Sequence, residues 1–229
     1  MLLRQPMPLL KRPSPFDHPD WIFELKYDGF RALAVLRDGG VQFISRNGHP
    51  FASFGDLGKQ IAAVLPGLTD TVLDGEIVCV DSSGRPQFTD LLFHRGDPCF
   101  FAFDLPIRHD KDERSHQLQD RKQELRRLLS RAPADSPLKY ADHVDGSGIA
   151  LYRRICDLDL EGIVAKLRSA PYVSDRESST WIKILNPKYS QREGREELFE
   201  RDRRAEAVPG WHSCSVACAE LQELYAEAF

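Results

Sequence analysis

The chain has 229 residues, a length that suits one large domain or two small ones. With 41% hydrophobic and 29% charged residues it reads as a folded globular protein, and its net charge of −4 excludes a uniformly basic coat. No run of 18 apolar residues is present to span a membrane, so no membrane partner is expected. The prolines of the opening MLLRQPMPLLKRPSP interrupt the apolar stretch that an export signal needs. The five cysteines are odd in number and scattered, which fits a reducing compartment, and a cytoplasmic location is expected.

After a Pro-rich entry (Pro6 to Pro19), Trp21 to Leu25 reads as the first strand. Arg31 to Leu36 and Val41 to Ser45 are apolar-rich runs joined by Asp38-Gly39-Gly40, a hairpin signal. Phe54, Leu57, Ile61, Val64 and Leu65 recur at helical spacing until Pro66-Gly67 stops the helix. Val72 to Val80 and Cys99 to Phe103 read as strands. Residues 116–131 form a basic helix whose apolar side carries Leu118, Leu125, Leu128 and Leu129 and whose charged residues are expected to face solvent. A short helix, Ile149 to Cys156, then precedes strands at Gly162 to Leu167 and Thr180 to Leu185. Residues 191–206 are densely charged with both signs, and Pro209-Gly210 separates them from an amphipathic segment, Ala217 to Phe229. His212, Cys214 and Cys218 cluster there, but no fourth ligand lies at zinc spacing, so they read as ordinary helix-face residues. The fold class is α+β, antiparallel sheets flanked by helices, with a domain over 1–190 and a charged helical tail over 191–229.

The chemistry-bearing residues sit at strand ends. Lys26 opens KYDGFR directly after the first strand, and a lysine there becomes a nucleophile when its surroundings favour the neutral amine. Arg31 offers a planar fork for phosphate or ribose oxygens. LDGEIV (Leu73 to Val78) places two acids and a glycine inside an apolar strand, against simple strand preference. LEGIVAK (Leu160 to Lys166) repeats a carboxylate beside a glycine, FFAFD (Phe100 to Asp104) supplies aromatics, and WIKIL (Trp181 to Leu185) carries a lysine. A hard cation needs carboxylates, a phosphate needs lysines and a purine needs an aromatic face.

In this order the segments resemble the ATP-dependent DNA ligases, members of the covalent nucleotidyltransferases that also include capping enzymes and RNA ligases. KYDGFR is similar to the nucleophile motif, SRNG (Ser45 to Gly48) to the hairpin motif after it and LDGEIV to the third motif; FFAFD, LEGIVAK and WIKIL resemble those downstream. The wording is most similar to bacterial ligases of the end-joining ligase D type. The resemblance implies an ATP-grasp-like nucleotidyltransferase core that uses ATP and Mg²⁺ (or Mn²⁺) and acts on nicked duplex DNA, in repair. It implies that Lys26 attacks the α-phosphate to form lysyl-AMP. Arg31 and Glu76 are then expected at the ribose, Glu76 and Glu161 at the metal, Phe103 against the adenine and Glu24 at its amino group. Lys183 is expected at the α-phosphate, Arg46 at the 5′-phosphate of the nick, and Asp28 in the later steps.

Two features depart from the family pattern. Its last strand motif carries a second lysine two residues after the first, where this chain has Leu185; losing such a cation costs on the order of 3 kcal/mol of transition-state stabilisation. Lys166 and Lys188 are candidates to compensate. The 39 residues after Ser190 are also too few for the OB-fold domain that usually follows, which needs roughly 50, so that barrel is expected to be absent. Three readings result: a minimal DNA ligase, with a DNA-repair protein as the partner supplying the clamp; a relative acting on RNA; and a decayed core that binds nucleotide without sealing.

Overall fold

The computed structural model describes Leu3 and residues 5–192. Its strands are β1 (Leu10–Lys11), β2 (Trp21–Leu25), β3 (Phe30–Arg37), β4 (Gly40–Ser45), β5 (Thr71–Cys79), β6 (Pro98–Arg108), β7 (Lys111–Asp112), β8 (Leu138–Tyr140), β9 (Val144–Asp145), β10 (Gly162–Leu167) and β11 (Trp181–Leu185). The helices among the described residues are α1 (Gly55–Val64), α2 (Phe88–Leu92), α3 (Leu118–Leu129) and α4 (Gly148–Asp157), followed by a 3-10 turn at Ser190–Arg192. The long strands lie where the apolar runs predict them. The β3–β4 hairpin turns at Asp38 and Gly39, whose φ angles of 52° and 77° are the left-handed pair a tight two-residue turn requires.

Two sheets result. The first has the order β1-β11-β10-β2-β9 and the second β4-β3-β5-β6-β7, with β8 added to β6. Pairing is antiparallel except for β1 on β11 and β8 on β6. Side chains alternate across a strand, so each sheet has two distinct faces. Tyr27, Val78, Phe101, Phe103, Val164 and Trp181 belong to a core that joins the sheets, with Tyr27 stacked on Phe101 at 4.2 Å between centroids. On the far face of the second sheet, Phe43, Leu73, Ile77 and Phe100 pack with Leu57 and Ile61 of α1 and Leu125 of α3. Burying each of these larger apolar side chains contributes about 1.5–3 kcal/mol. The α+β nucleotidyltransferase expectation agrees with this arrangement, and no OB-type barrel occurs among the described residues.

One expectation for α3 fails. Arg121 and Lys122, read from the sequence as part of a solvated basic face, are both buried. Each meets a buried carboxylate: Arg121 bonds Asp104 through Nε and Nη2, both at 2.8 Å, and Lys122 reaches Glu24 at 2.6 Å. A charged side chain goes inside when a partner is already there, and those partners are remote in sequence. Gln191, the first residue of the expected tail, donates to the Pro86 carbonyl and accepts from the Phe88 amide. The cluster of His212, Cys214 and Cys218, and residues 193–229 generally, lie outside the described residues.

Candidate active site

Strand register builds one wall of the cleft between the sheets. Glu24 pairs with Val164, Val164 with Lys183, and Lys183 with Lys11, so one row of side chains crosses four strands on a single face. The adjacent row holds Lys166 opposite Trp181. Beyond the end of β2, the Lys26 amide donates to the Gly162 carbonyl at 2.9 Å, which fixes the lysine beside β10. The opposite wall comes from the second sheet, where Arg31, Glu76 and Phe103 face the same pocket as Lys26, Glu24 and Lys166.

At the reactive end, Lys26 Nζ donates to Glu161 Oε2 at 2.6 Å, and both side chains remain partly accessible. Burial, aided by the charges of Glu161 and Asp28 and opposed by Lys26 and Arg31, pushes the Glu76 carboxyl up to about 7. Asp28 is buried and accepts a hydrogen bond from the Tyr189 hydroxyl at 2.7 Å, so the segment after β11 reaches back to the KYDGFR turn.

At the closed end, Phe103 forms the floor. The Lys166 ammonium lies 4.2 Å from its ring centroid and 3.8 Å from that of Trp181. Lys166 Nζ forms an ion pair with Glu24 Oε2 at 2.6 Å, while Lys122 donates to Glu24 Oε1 at 2.6 Å. Burial, then the two lysine charges acting against it, leave Glu24 below the ordinary carboxylate range. Burial and the charge of Lys122 push Lys166 down to about 8, with Glu24 acting in the other direction. Arg31 is clamped by Asp74 through two 2.7 Å hydrogen bonds and lies 4.7 Å from the Phe103 centroid. Tyr172 completes that clamp by donating to Asp74 at 2.7 Å.

Of the expected site residues, Lys26, Glu24, Arg31, Glu76 and Phe103 therefore share one pocket, with Glu161 on Lys26. Lys183 lies in the row beside it; burial, then the neighbouring charge of Lys26, with Lys11 and Arg46 adding, holds it below the ordinary lysine range. Arg46 sits in the exposed turn after β4 and belongs to the same field of positive charge. Leu185 pairs with Gly162, and its carbonyl accepts from Tyr152 at 2.9 Å. Neither candidate compensator stands beside Lys183: Lys166 is committed to the closed end, and Lys188 follows the strand in an exposed turn. Sequence reasoning missed Asp74, Lys122, Tyr172 and Lys11. Asp74 had a signal, an acid within an apolar strand; the other three acquire meaning only through tertiary neighbours.

Comparison with known proteins places the chain in a family. Residues 10–184 match the ATP dependent DNA ligase domain. The multifunctional non-homologous end joining protein LigD of Pseudomonas aeruginosa is 35% identical over 171 residues, covering 72% of this chain and 20% of that protein. The bifunctional LigD of Bacillus subtilis is 34% identical over 203 residues, 76% of this chain and 32% of that protein. The chain thus spans between a fifth and a third of the length of these relatives. Among solved structures, mycobacterial DNA ligase D complexed with ATP and MES superposes with a TM-score of 0.67 at 29% identity, covering 79% of this chain and 60% of that one. No helix among the described residues is long and apolar enough to cross a membrane. With its motifs in order and their side chains gathered around one lysine, the chain belongs to the ATP-dependent DNA ligase domain family.

Proposed function

We propose that this chain is the adenylation core of an ATP-dependent DNA ligase that seals nicks in duplex DNA. The observation that carries the reading is Lys26 in an aromatic-lined pocket, hydrogen-bonded to Glu161 and near Lys183, on which Arg46 also acts. Phe103 stacks on the adenine, and Arg31 and Glu76 hold the ribose. Glu24, already bridged by two lysines, meets the adenine amino group as part of a polar end wall. Lys26 loses its ammonium proton to solvent, attacks the α-phosphorus of ATP and forms a P–N bond as the bond to pyrophosphate breaks. Lys183 balances charge on the nonbridging oxygens, where oriented cations contribute most to such transfers.

The residues fit a hard divalent cation. The charge of Glu161 opposes ionisation of Glu76, a repulsion that a divalent cation between the two relieves. Glu76 and Glu161 would hold Mg²⁺ or Mn²⁺, with phosphates and waters completing its shell. When bound, such an ion supplies neutralising charge at the phosphates. In the later steps Arg46 receives the 5′-phosphate of the nick, AMP moves to it, and a 3′-hydroxyl displaces AMP with support from Asp28. Non-homologous end joining, in the names of the LigD relatives, makes repair the expected setting, with a partner protein or further domain as the clamp.

The test is incubation with α-labelled ATP and Mg²⁺, followed by nicked duplex. Label is expected on the parent and not on Lys26→Ala, and it should pass to DNA in a salt-sensitive manner, because the contacts are to phosphates. A parent protein that takes no label overturns the reading. Transfer to nicks with an RNA 3′-hydroxyl strand alone would reassign the substrate.

A further inference from the structure

The register of β1 places a lysine where the sequence motifs supply none. Lys11 pairs with Lys183 across parallel strands, so both side chains project from one sheet face about 5 Å apart at their bases. That face carries Glu24 and Val164 in the same row and Leu9 and Trp181 in the next, and these four line the pocket beside the two lysines. The neighbouring residue, Arg12, alternates to the other side, where its guanidinium lies 4.3 Å from the Phe16 centroid. Lys11 is exposed, and neither it nor Lys183 has an ion pair among the described residues. Lys26, Lys11 and Arg46 each act on Lys183 with like charge, a repulsion that a polyanion relieves.

We propose that Lys11 is a nucleotide-binding cation of this site and holds the β- and γ-phosphates that leave as pyrophosphate. Its place follows from the order of strands. Lys26 lies at the β2 end of the face, Lys183 two strands away and Lys11 one strand further, so a triphosphate whose α-phosphate lies between Lys26 and Lys183 extends its remaining phosphates toward Lys11. Leu185 lies two residues along β11 from Lys183, and the cation missing there is thereby supplied from the neighbouring strand. The inference rests on the adenylation reading, from which it takes the orientation of ATP.

The experiment separates the two. In full-length protein carrying Lys26→Ala, which cannot turn over, binding of ATP, AMP and inorganic tripolyphosphate is measured by calorimetry at fixed ionic strength with and without Lys11→Ala. Removing Lys11 is expected to weaken ATP and tripolyphosphate about tenfold and leave AMP unchanged, and Lys11→Arg should retain the affinity. Equal ATP affinity with and without Lys11, a parallel loss of AMP, or no tripolyphosphate binding at all overturns the proposal. If the parent takes label from ATP while Lys11→Ala binds normally, Lys11 is misassigned and adenylation stands. If the parent takes no label while the binding pattern follows Lys11, adenylation fails and the anion site stands.

Discussion

Glu76 sits between two cations and two carboxylates, and burial keeps its proton to about pH 7 against an ordinary value of 4.5. The folded state therefore binds more protons than the unfolded chain between those values. Stability falls as pH rises through the window, and the deficit is complete above about 7. Glu76→Gln removes that deficit. Without nucleotide or divalent cation, its Tm should exceed the parent's at pH 8.5, by the equivalent of about 1–3 kcal/mol, and converge with it at pH 4. The same change should abolish most adenylation, since a neutral amide neither holds a hard cation nor opposes Lys26. A Tm difference independent of pH would exclude this account of Glu76.

At the scale of elements, the β5–β6 pair decides where the acids point. Their register shifts twice, between Val72 and Asp74 and again between Asp74 and Gly75, so the LDGE segment is presented from an irregular ladder. Gly75 is what permits it: a Cβ there would lie 2.4 Å from the Phe100 ring and 2.5 Å from the Phe101 carbonyl oxygen. Gly75→Ala is expected to cost about 2–4 kcal/mol in denaturant unfolding, because backbone must move. Gly39→Asn, at an open left-handed turn position, should stay within about 0.5 kcal/mol of the parent. The glycine among acids was legible in the sequence as a break in strand logic, and so were β2, the β3–β4 hairpin, α1, β10 and β11, where apolar spacing and turn residues agree. The strand β1 was not legible. Two residues in a Pro-rich stretch carry no period, and the pairing that makes them a strand comes from 172 positions away. Likewise Lys122 and Arg121 looked like solvent-facing helix residues because a helical pattern shows which positions are charged, not that Glu24 and Asp104 await them inside.

Across the whole molecule, polar links tie the two sheets together around the cleft. Lys122 of α3, which packs on β6, reaches Glu24 of β2, and Glu24 in turn holds Lys166 of β10. Two buried cations share one carboxylate, so its removal strands both. Glu24→Ala should destabilise the fold by about 3–5 kcal/mol, whereas adding Lys166→Met should recover part of that loss because one stranded cation is gone. Strictly additive effects in a denaturant double-mutant cycle would refute the coupling. The pairing of β1 with β11 bears on how the chain is made. The second sheet draws its strands from one unbroken stretch, residues 30–140, but the first takes its strands from residues 10–25 and again from 144–185. During synthesis the second sheet has all its strands while the first still lacks most of its own. Lys26 leaves the ribosome well ahead of its partners, since the strand that flanks it and the carboxylate that holds it follow more than 130 residues later. The reactive end is therefore assembled last, by the part of the described chain that leaves the ribosome last.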